Sequence, residues 1–454
     1  MKIATNFKSL VDNFGLVSGK IRFPMRFFDT RSDSPVQLQK VFDARLEGAQ
    51  TEAESAVRAI LADVQTRGDA AVLEYTRRWS YSEAFRLRVS EKEIADAARR
   101  VQATPLWDVM QTAAARIQRF HEQQKRASWM DVSTPGETLG QIVRPLARVG
   151  VYAPGGTASY PSTVLMTCVP ARVAGVPSVA LATPPGSNGL PPDATLAAAF
   201  IAGVSEVYAM GGAQAIGALA YGTESVVRVH KILGPGNLYV NLAKRHVFGI
   251  VGIDSLAGPS EIAVLADEDA DPQTAAADVL SQCEHDANGS ALVATHSARF
   301  AQGFLAALET QLATLDRRDI AAKALASNGF LVQTQSQEDS ARVVSQYAPE
   351  HLHLVVRDPW ALLPQIENAG AVLIGPYTSA PLGDYVAGPS HTLPTAGCAR
   401  FASPLGVDDF VKRSSILAFG RNAAEKLSPL AATFADAEGL DAHARAARHT
   451  LRSE

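Results

Sequence analysis

The stretch VGVYAPGGT, residues 149–157, is a short apolar run of β-branched residues that stops abruptly at Pro and two glycines. The same texture returns downstream, so that candidate strands fall at Val149–Ala153, Val179–Thr183, Val207–Met210, Lys231–Leu233 and Ile262–Ala266, each closed by Gly or Pro or followed by an Ala-rich helical stretch. Strands of this length separated by helical segments predict an α/β fold, a parallel sheet with helices on its faces. Ligands of such sheets sit in the crevice at the carboxyl ends of the strands. The Gly-rich turns Pro154-Gly155-Gly156-Thr157, Gly211-Gly212-Ala213-Gln214 and Gly234-Pro235-Gly236-Asn237 are therefore candidate ligand loops. None reads G-x-G-x-x-G, so the usual dinucleotide fingerprint is absent, but helix starts after such turns still favour phosphate.

Outward from this block, residues 51–125 read as helical: Val57, Ile60, Leu61 and Val64 recur at helical spacing, and Ser90-Glu91-Lys92-Glu93 has the form of a capping box. That part reads as packing. A further α/β stretch runs from Ser290 to Pro376, and Ala423 to Leu451 is Ala-rich and helical. The acidic run Asp267–Asp271 lacks the Gly and terminal Glu of a calcium loop, and Asp271-Pro272 reads more simply as the cap and first turn of a helix. With 454 residues the chain is too long for one compact core and predicts two to four units.

A net charge of −4 and no block of Lys and Arg give no general attraction for nucleic acid or an anionic membrane. Cys168, Cys283 and Cys398 are too few and too scattered for a disulfide framework, and together with the absence of a signal peptide they suggest a cytoplasmic protein. No apolar run reaches the roughly 18 residues of a membrane span.

Ser281-Gln282-Cys283-Glu284-His285 falls at the end of a helix that should begin at Asp271-Pro272 and stop near Asn288-Gly289. Gln282 and His285, three apart, would share one face and could grip one metal ion; the pair could equally be a polar helix end in water. Cys283 points elsewhere and reads as packing. Ala348-Pro349-Glu350-His351-Leu352 enters from an extended or turn segment, because Pro349 disfavours the helical region for Ala348, and neighbouring side chains on such a backbone point apart. Glu350 and His351 could move protons there, or be structural. Gly383-Asp384-Tyr385 through Gly388-Pro389-Ser390-His391 predicts a loop offering one carboxylate and one imidazole, and the tail holds Glu438 and His443.

Taken together, the segments GVYAPGGTASYPSTVLM (150–166), GGAQAIGALAYGTE (211–224), KILGPGNLYVNLAKR (231–245), AGPSEIAVLADE (257–268), LSQCEH (280–285), APEHL (348–352), GDYVAGPSHTLPT (383–395) and DDFVKR (408–413) resemble the histidinol dehydrogenase family from Met25 to the C-terminus. The resemblance implies a zinc- and NAD-dependent enzyme of histidine biosynthesis that takes L-histidinol through L-histidinal to L-histidine with two NAD. It implies one zinc per subunit, held by Gln282, His285, Asp384 and, across a homodimer, the partner subunit's His443. It implies His351 as the base, Glu350 as the residue that activates water, and Ser260, Glu438 and His391 at the substrate beside the metal ligands. Tyr152, Gln214 and Asn237 match NAD-contacting positions on the three loops.

The implied fold is two incomplete Rossmann-like domains, one inserted in the other, with small helical terminal segments that intertwine two subunits. The boundaries expected are 1–47 for an extension and arm, 48–151 with 262–405 for a discontinuous catalytic domain, 152–261 for the inserted NAD-binding domain, and 406–454 for a tail reaching the partner's site. Two departures stand out: Ser390 precedes His391 where many members carry Asn, and His353 adds an imidazole beside the base. The first 24 residues have no counterpart in the usual family start, which resembles Met25-Arg26-Phe27-Phe28-Asp29 and suggests Met25 as the start. Two rivals remain: an NAD-dependent zinc dehydrogenase of another small alcohol, which Tyr160-Pro161-Ser162-Thr163 and Glu438 disfavour, and a zinc hydrolase using Glu350.

Overall fold

The computed structural model describes residues 25–44, 51–79, 85–155 and 159–449. The segment before Met25, Gly156 and Thr157 of the first Gly-rich loop, and Leu451 lie outside the described residues.

Two six-stranded sheets organise the chain. In the first the order is Arg26–Asp29, Gly329–Gln333, Ser290–Thr295, Glu261–Ala266, His351–Val355, Ala371–Ile374, and every pairing is parallel. Glu261–Ala266 and Ser290–Thr295 are buried along their whole length, as near-continuous apolar runs must be when helices cover both faces. Ile262 and Val264 pack with the helices Pro272–Cys283, Ala298–Thr314 and Arg318–Asn328. Ala263 and Leu265 pack on the opposite side with Pro35–Ala44 and Gln337–Tyr347.

The second sheet runs Arg88–Val89, Glu206–Ala209, Val179–Thr183, Val149–Tyr152, Lys231–Leu233, Gly252–Ile253. All of its pairings are parallel except that of the short edge strand Arg88–Val89. Both sheets share one winding: apart from the outer strands Arg26–Asp29 and Arg88–Val89, the earliest strand in the chain lies centrally, two follow on one side and two on the other. The five expected strands are all present, with bounds shifted by a residue at three of them. The edge strands Arg88–Val89 and Gly252–Ile253 are two residues each, too short to carry a periodic signal.

Packing divides the chain differently from the sequence expectation that joins 48–151 to 262–405. The helices Thr51–Arg67 and Asp69–Trp79 bury Val57, Leu61 and Val72 against Ala180, Ala182 and Ile232 of the second sheet. Glu91–Gln102 and Leu106–Glu122 bury Ile94 and Ile117 against Val151 and Leu181 on its other face. Periodicity marks a helix's apolar face but not the sheet it covers. The capping box at Ser90 is formed as read, with Ser90 Oγ accepting from Glu93 N–H and Glu93 returning to Ser90.

A separate antiparallel sheet, Trp129–Asp131, Glu137–Pro145 and Val411–Phe419, is largely exposed. It leads into the tail helices Arg421–Ala437 and Asp441–His449, which pack on each other through Ala432, Ala435 and Ala444. Among the described residues no helix is long and apolar enough to cross a membrane.

Candidate active site

Ligands were expected at the carboxyl ends of the strands, but in the first sheet the chemical residues gather at the amino ends. His351 opens its strand, Ser260 and Glu261 stand at the head of the neighbouring one, and Gln282 lies at the far end of the helix that runs back between them. That helix ends at Cys283, not near Asn288-Gly289, so Gln282 is inside it and buried whereas His285 falls in the turn beyond and is exposed. The two do not share an environment. Asp384, expected on a loop, sits in the short helix Ala380–Tyr385, because Pro381 suits a first turn; the irregular stretch begins after it.

A connected set of hydrogen bonds joins these elements. Gln282 Nε2 donates to Asp384 Oδ2 at 3.2 Å, and His351 Nε2 lies 3.1 Å from Asp384 Oδ1. On the other ring edge, His351 Nδ1 is 3.3 Å from the Glu261 carbonyl and 3.6 Å from Glu350 Oε2, which itself accepts from Glu261 N–H at 2.9 Å. Glu350 and His351 thus converge on Glu261, where an extended backbone predicts that they point apart. Ala348 closes the preceding helix in the left-handed region, φ 53° and ψ 64°, which is strained for a residue with a Cβ. His391 Nδ1 is 2.8 Å from the Asp384 carbonyl and its Nε2 is 3.1 Å from Thr163 Oγ1, which ties this cluster to a helix of the second sheet.

Burial works against a charge on His351, but the neighbouring Glu350 charge and the Asp384 hydrogen bond outweigh it and raise its pKa to about 10. Burial pushes the Asp384 carboxyl up, and the His351 contact brings it below its ordinary value. His391 is lowered, chiefly by burial. The Cys283 thiol is pushed up to about 12 by burial, so it is no thiolate nucleophile.

Of the proposed metal ligands, Gln282 and Asp384 are in contact and His285 stands at the end of the same helix. His443 and Glu438 are exposed on the tail, which packs on itself. Among the described residues no three His, Cys, Asp or Glu side chains converge as a metal cluster. The fit to zinc is partial: an amide oxygen and a carboxylate side by side form an oxygen pair that zinc accepts, and two imidazoles would have to come in from the turn and from outside this subunit's cluster. Of the departures, Ser390 is buried with its hydroxyl on the Met166 carbonyl at 3.3 Å.

The second sheet carries its cleft at the carboxyl ends, as expected. A cavity of about 920 Å³ is lined by Tyr152, Gly155, Gly211, Gly212, Gln214 and Asn237, so all three expected cofactor residues meet there. Tyr152 Oη accepts Gly212 N–H at 3.1 Å, and Asn237 caps the helix Leu238–Val247 by accepting Val240 N–H at 3.1 Å. Gln214 Oε1 is buried with no hydrogen-bond partner among the described residues, an acceptor left for something entering the cleft. Sequence reading missed that Thr76, Arg78 and Trp79, from helices taken as packing, also line it. It also missed Lys244, fully buried, whose Nζ reaches the Gly234 carbonyl at 3.0 Å and Asp254 at 2.5 Å. No pattern in the sequence marks a single buried Lys on an otherwise apolar helix face.

Two α/β sheets, one with a Gly-rich cleft at its carboxyl ends and the other with a carboxylate–imidazole cluster at its amino ends, make an α/β protein with two candidate ligand regions. A family model described as histidinol dehydrogenase matches residues 44–451. Histidinol dehydrogenase of Geobacillus kaustophilus (strain HTA426) is 49% identical over 401 residues, covering 88% of this chain and 94% of that protein. That of Moorella thermoacetica is 51% identical over 393 residues, covering 86% and 92%. The crystal structure of histidinol dehydrogenase from Elizabethkingia anophelis superposes with a TM-score of 0.89 at 34% identity, covering 95% of this chain and 98% of that one. The chain belongs to the histidinol dehydrogenase family and is an NAD-dependent oxidoreductase.

Proposed function

We propose that the chain oxidises L-histidinol through L-histidinal to L-histidine, in the cytoplasm, with NAD bound at the cleft of Tyr152, Gln214 and Asn237. The observation that carries the reading is the buried line Gln282–Asp384–His351–Glu350, which puts a base, a second carboxylate and an oxygen ligand pair within one hydrogen-bonded set. In the same reading the two sheets are Rossmann-like units: 51–253, built on the second sheet, is inserted between Arg26–Asp29 with its helix and 261–374.

His351 takes the hydroxyl proton as hydride leaves the substrate carbon for NAD. Glu350, fixed through one oxygen to Glu261 N–H, uses its carboxylate to deprotonate the water that adds to the aldehyde. Once its first proton has passed to solvent, His351 takes a proton from the hydrate as the second hydride departs. As a base His351 must first lose its own proton, and drawing Asp384 into a cation's coordination removes one of the two negative charges that hold it. Gln282, Asp384, His285 and the partner subunit's His443 would hold zinc, which when bound would act as a template for the substrate's imidazole and amine nitrogens. Ser260, His391 and Glu438 would complete the substrate pocket. A homodimer is supported by the tail, where Leu430 and Phe434 stand 60% and 74% exposed on a helix that packs against little of its own subunit. Three free cysteines, two of them buried, suit a reducing compartment.

Purified protein given L-histidinol and NAD tests this. Oxidising a primary alcohol to a carboxylate removes four electrons, so two NADH per histidine are expected, and a chelator should abolish turnover. No NADH with histidinol, but turnover of another alcohol, would overturn the reading; product formed without NAD would point to hydrolysis.

A further inference from the structure

The extra imidazole beside the base has its own place. Strand His351–Val355 turns Leu352 and Leu354 to one face of the first sheet and Val355 to the other, so His353 shares the face of His351 and meets the helix Pro272–Cys283. There His353, with no solvent exposure, lies with Nδ1 2.6 Å from Asp278 Oδ2 and Nε2 2.9 Å from the Gly375 carbonyl. The second oxygen of Asp278 faces Ala380 N–H at 3.4 Å, where the helix bearing Asp384 begins.

Both ring nitrogens of His353 face acceptors. A carbonyl can only accept, so Nε2 carries a hydrogen, whereas Nδ1 and Asp278 Oδ2, though 2.6 Å apart, meet at angles that form no hydrogen bond. The two side chains are buried in close contact, each tied to the backbone by its other polar atom, Nε2 to the Gly375 carbonyl and Oδ1 to Ala380 N–H. Asp278 lies one helical turn before Gln282, and His353 lies two residues after His351 on one strand face. Gly375 and Ala380 flank the turn leading to Asp384. The pair therefore joins the three elements that carry Gln282, His351 and Asp384, one layer beneath them.

We propose that His353 and Asp278 are positioning residues of the active site: a buried brace that sets the approach of Gln282 to Asp384, and through it metal retention and histidinol binding. This rests on the reading of Gln282 and Asp384 as metal ligands. If that reading fails, the wild-type protein holds no metal with histidinol turnover; if only the brace fails, the wild type does both and so do the variants.

The test is His353→Leu and Asp278→Asn in the full-length protein loaded with zinc, read by the rate at which a chelator removes the metal and by separate KM values for histidinol and NAD. In Asp278→Asn a neutral His353 can donate from Nε2 to Gly375, and the amide oxygen keeps Ala380, so part of the brace survives. Asp278→Asn should therefore shift metal release and the histidinol KM in the same direction as His353→Leu but by less. His353→Leu leaves Asp278 buried and unpaired; metal release about tenfold faster and a histidinol KM about tenfold higher are expected, with the KM for NAD unchanged, at the low end of what outer partners of a metal site contribute. A merely structural role would lower thermal stability and the active fraction while leaving both KM values and metal release alone, and that outcome overturns the proposal. Should His353→Leu fail to fold, His353→Gln, whose amide reaches one of the two acceptors but not both, must show the same two shifts in smaller measure. Wild-type behaviour of that variant, or failure of every variant to fold, equally overturns it.

Discussion

Lys244→Met offers a direct probe of how the cofactor cleft is held. Lys244 and Asp254 expose 1% and 4% of their side chains, and their contact at 2.5 Å is one arm of a closed ring: Nζ also donates to the Gly234 carbonyl, and Gly234 N–H donates to Asp254 at 2.7 Å. Gly234 needs such clamping. At φ +112° it runs so close to the central strand that a Cβ would stand 2.1 Å from the Tyr152 carbonyl oxygen. Met keeps the length of the side chain but removes the charge, leaving a buried carboxylate with a single backbone donor. Breaking a buried pair by removing one partner costs about 3–5 kcal/mol, and the retained Gly234 N–H puts this case near the lower figure. In a chain of 454 residues, at about 2.1 cal/mol/K of unfolding entropy per residue, that is a fall in melting temperature of roughly 3 °C. Gly234 leads directly into Asn237, so the loop's loss of definition should raise the KM for NAD by about tenfold or more, the factor that corresponds to 1.4 kcal/mol, with the KM for histidinol unmoved. Asp254→Asn added to Lys244→Met removes the stranded charge and leaves an acceptor for Gly234 N–H, so about 2 kcal/mol should return. Steady-state NADH formation with each substrate varied in turn, together with thermal melts, decides it. An unchanged KM for NAD in a folded Lys244→Met protein, or a double variant less stable than the single, would refute the reasoning.

His351→Asn should depress kcat by roughly 10²–10⁴ while the zinc content measured by elemental analysis stays at wild type; equal loss of zinc would mean that His351 is a ligand. Ala348→Gly relieves a left-handed Ala at φ 53° worth about 1–2 kcal/mol, partly offset by about 0.4–1 kcal/mol of extra freedom in the unfolded chain, so urea unfolding should show a net gain of up to about 1.6 kcal/mol; a clear loss contradicts the strain argument. His121 is fully buried, with Nδ1 2.8 Å from the Ile117 carbonyl, and burial holds its pKa below the ordinary 6.5. The unfolded chain therefore takes up this proton first as pH falls: the stability is present above 6.5 and is lost below it, with a slope of at most about 1.4 kcal/mol per pH unit. Between pH 7.5 and 5.5, His121→Gln should lose less stability than wild type; an equal loss would place the acid sensitivity elsewhere.

The fold was legible where the chain is locally consistent. Val179–Thr183 and Lys231–Leu233 fall where apolar β-branched runs meet Gly or Pro, and Asp271 caps its helix by accepting Gln273 and Thr274 N–H as its pairing with Pro272 predicts. What stayed hidden is what depends on distance in space. Amphipathic helices between residues 51 and 122 advertise an apolar face, yet nothing local tells which sheet they cover. Arg78 and Trp79 read as ordinary exposed helix residues until the fold turns them to the rim of the cleft. Lys244 and His353 are polar residues in apolar settings whose partners, Asp254 and Asp278, lie ten residues away in one case and on another element in the other.

The two proposed functional regions lie at opposite ends of their sheets, the cleft at the carboxyl ends of one and the carboxylate–imidazole cluster at the amino ends of the other. In the second sheet the helices Gly212–Tyr221 and Leu238–Val247 both begin at the cleft, so their N-terminal ends turn partial positive charge toward it, which would suit the pyrophosphate of the proposed cofactor. The first sheet has equivalent winding, but its carboxyl end beside the central strand is closed by Asp267, which accepts Arg357 N–H at 2.7 Å and Gln337 Nε2 at 3.2 Å and so uses up the acceptors there. A cation and a proton relay have the opposite electrostatic needs. The amino ends of the strands and the last turn of Pro272–Cys283 supply them, because a helix C-terminus presents unpaired carbonyls and partial negative charge to Gln282 and its neighbours. His391, reaching Thr163 on the second sheet's helix, then joins the end of one sheet that suits anions to the end of the other that suits cations. On the proposed reading, a hydride acceptor held by its phosphates and a substrate held by a metal would meet across that joint without either region adopting the other's charge.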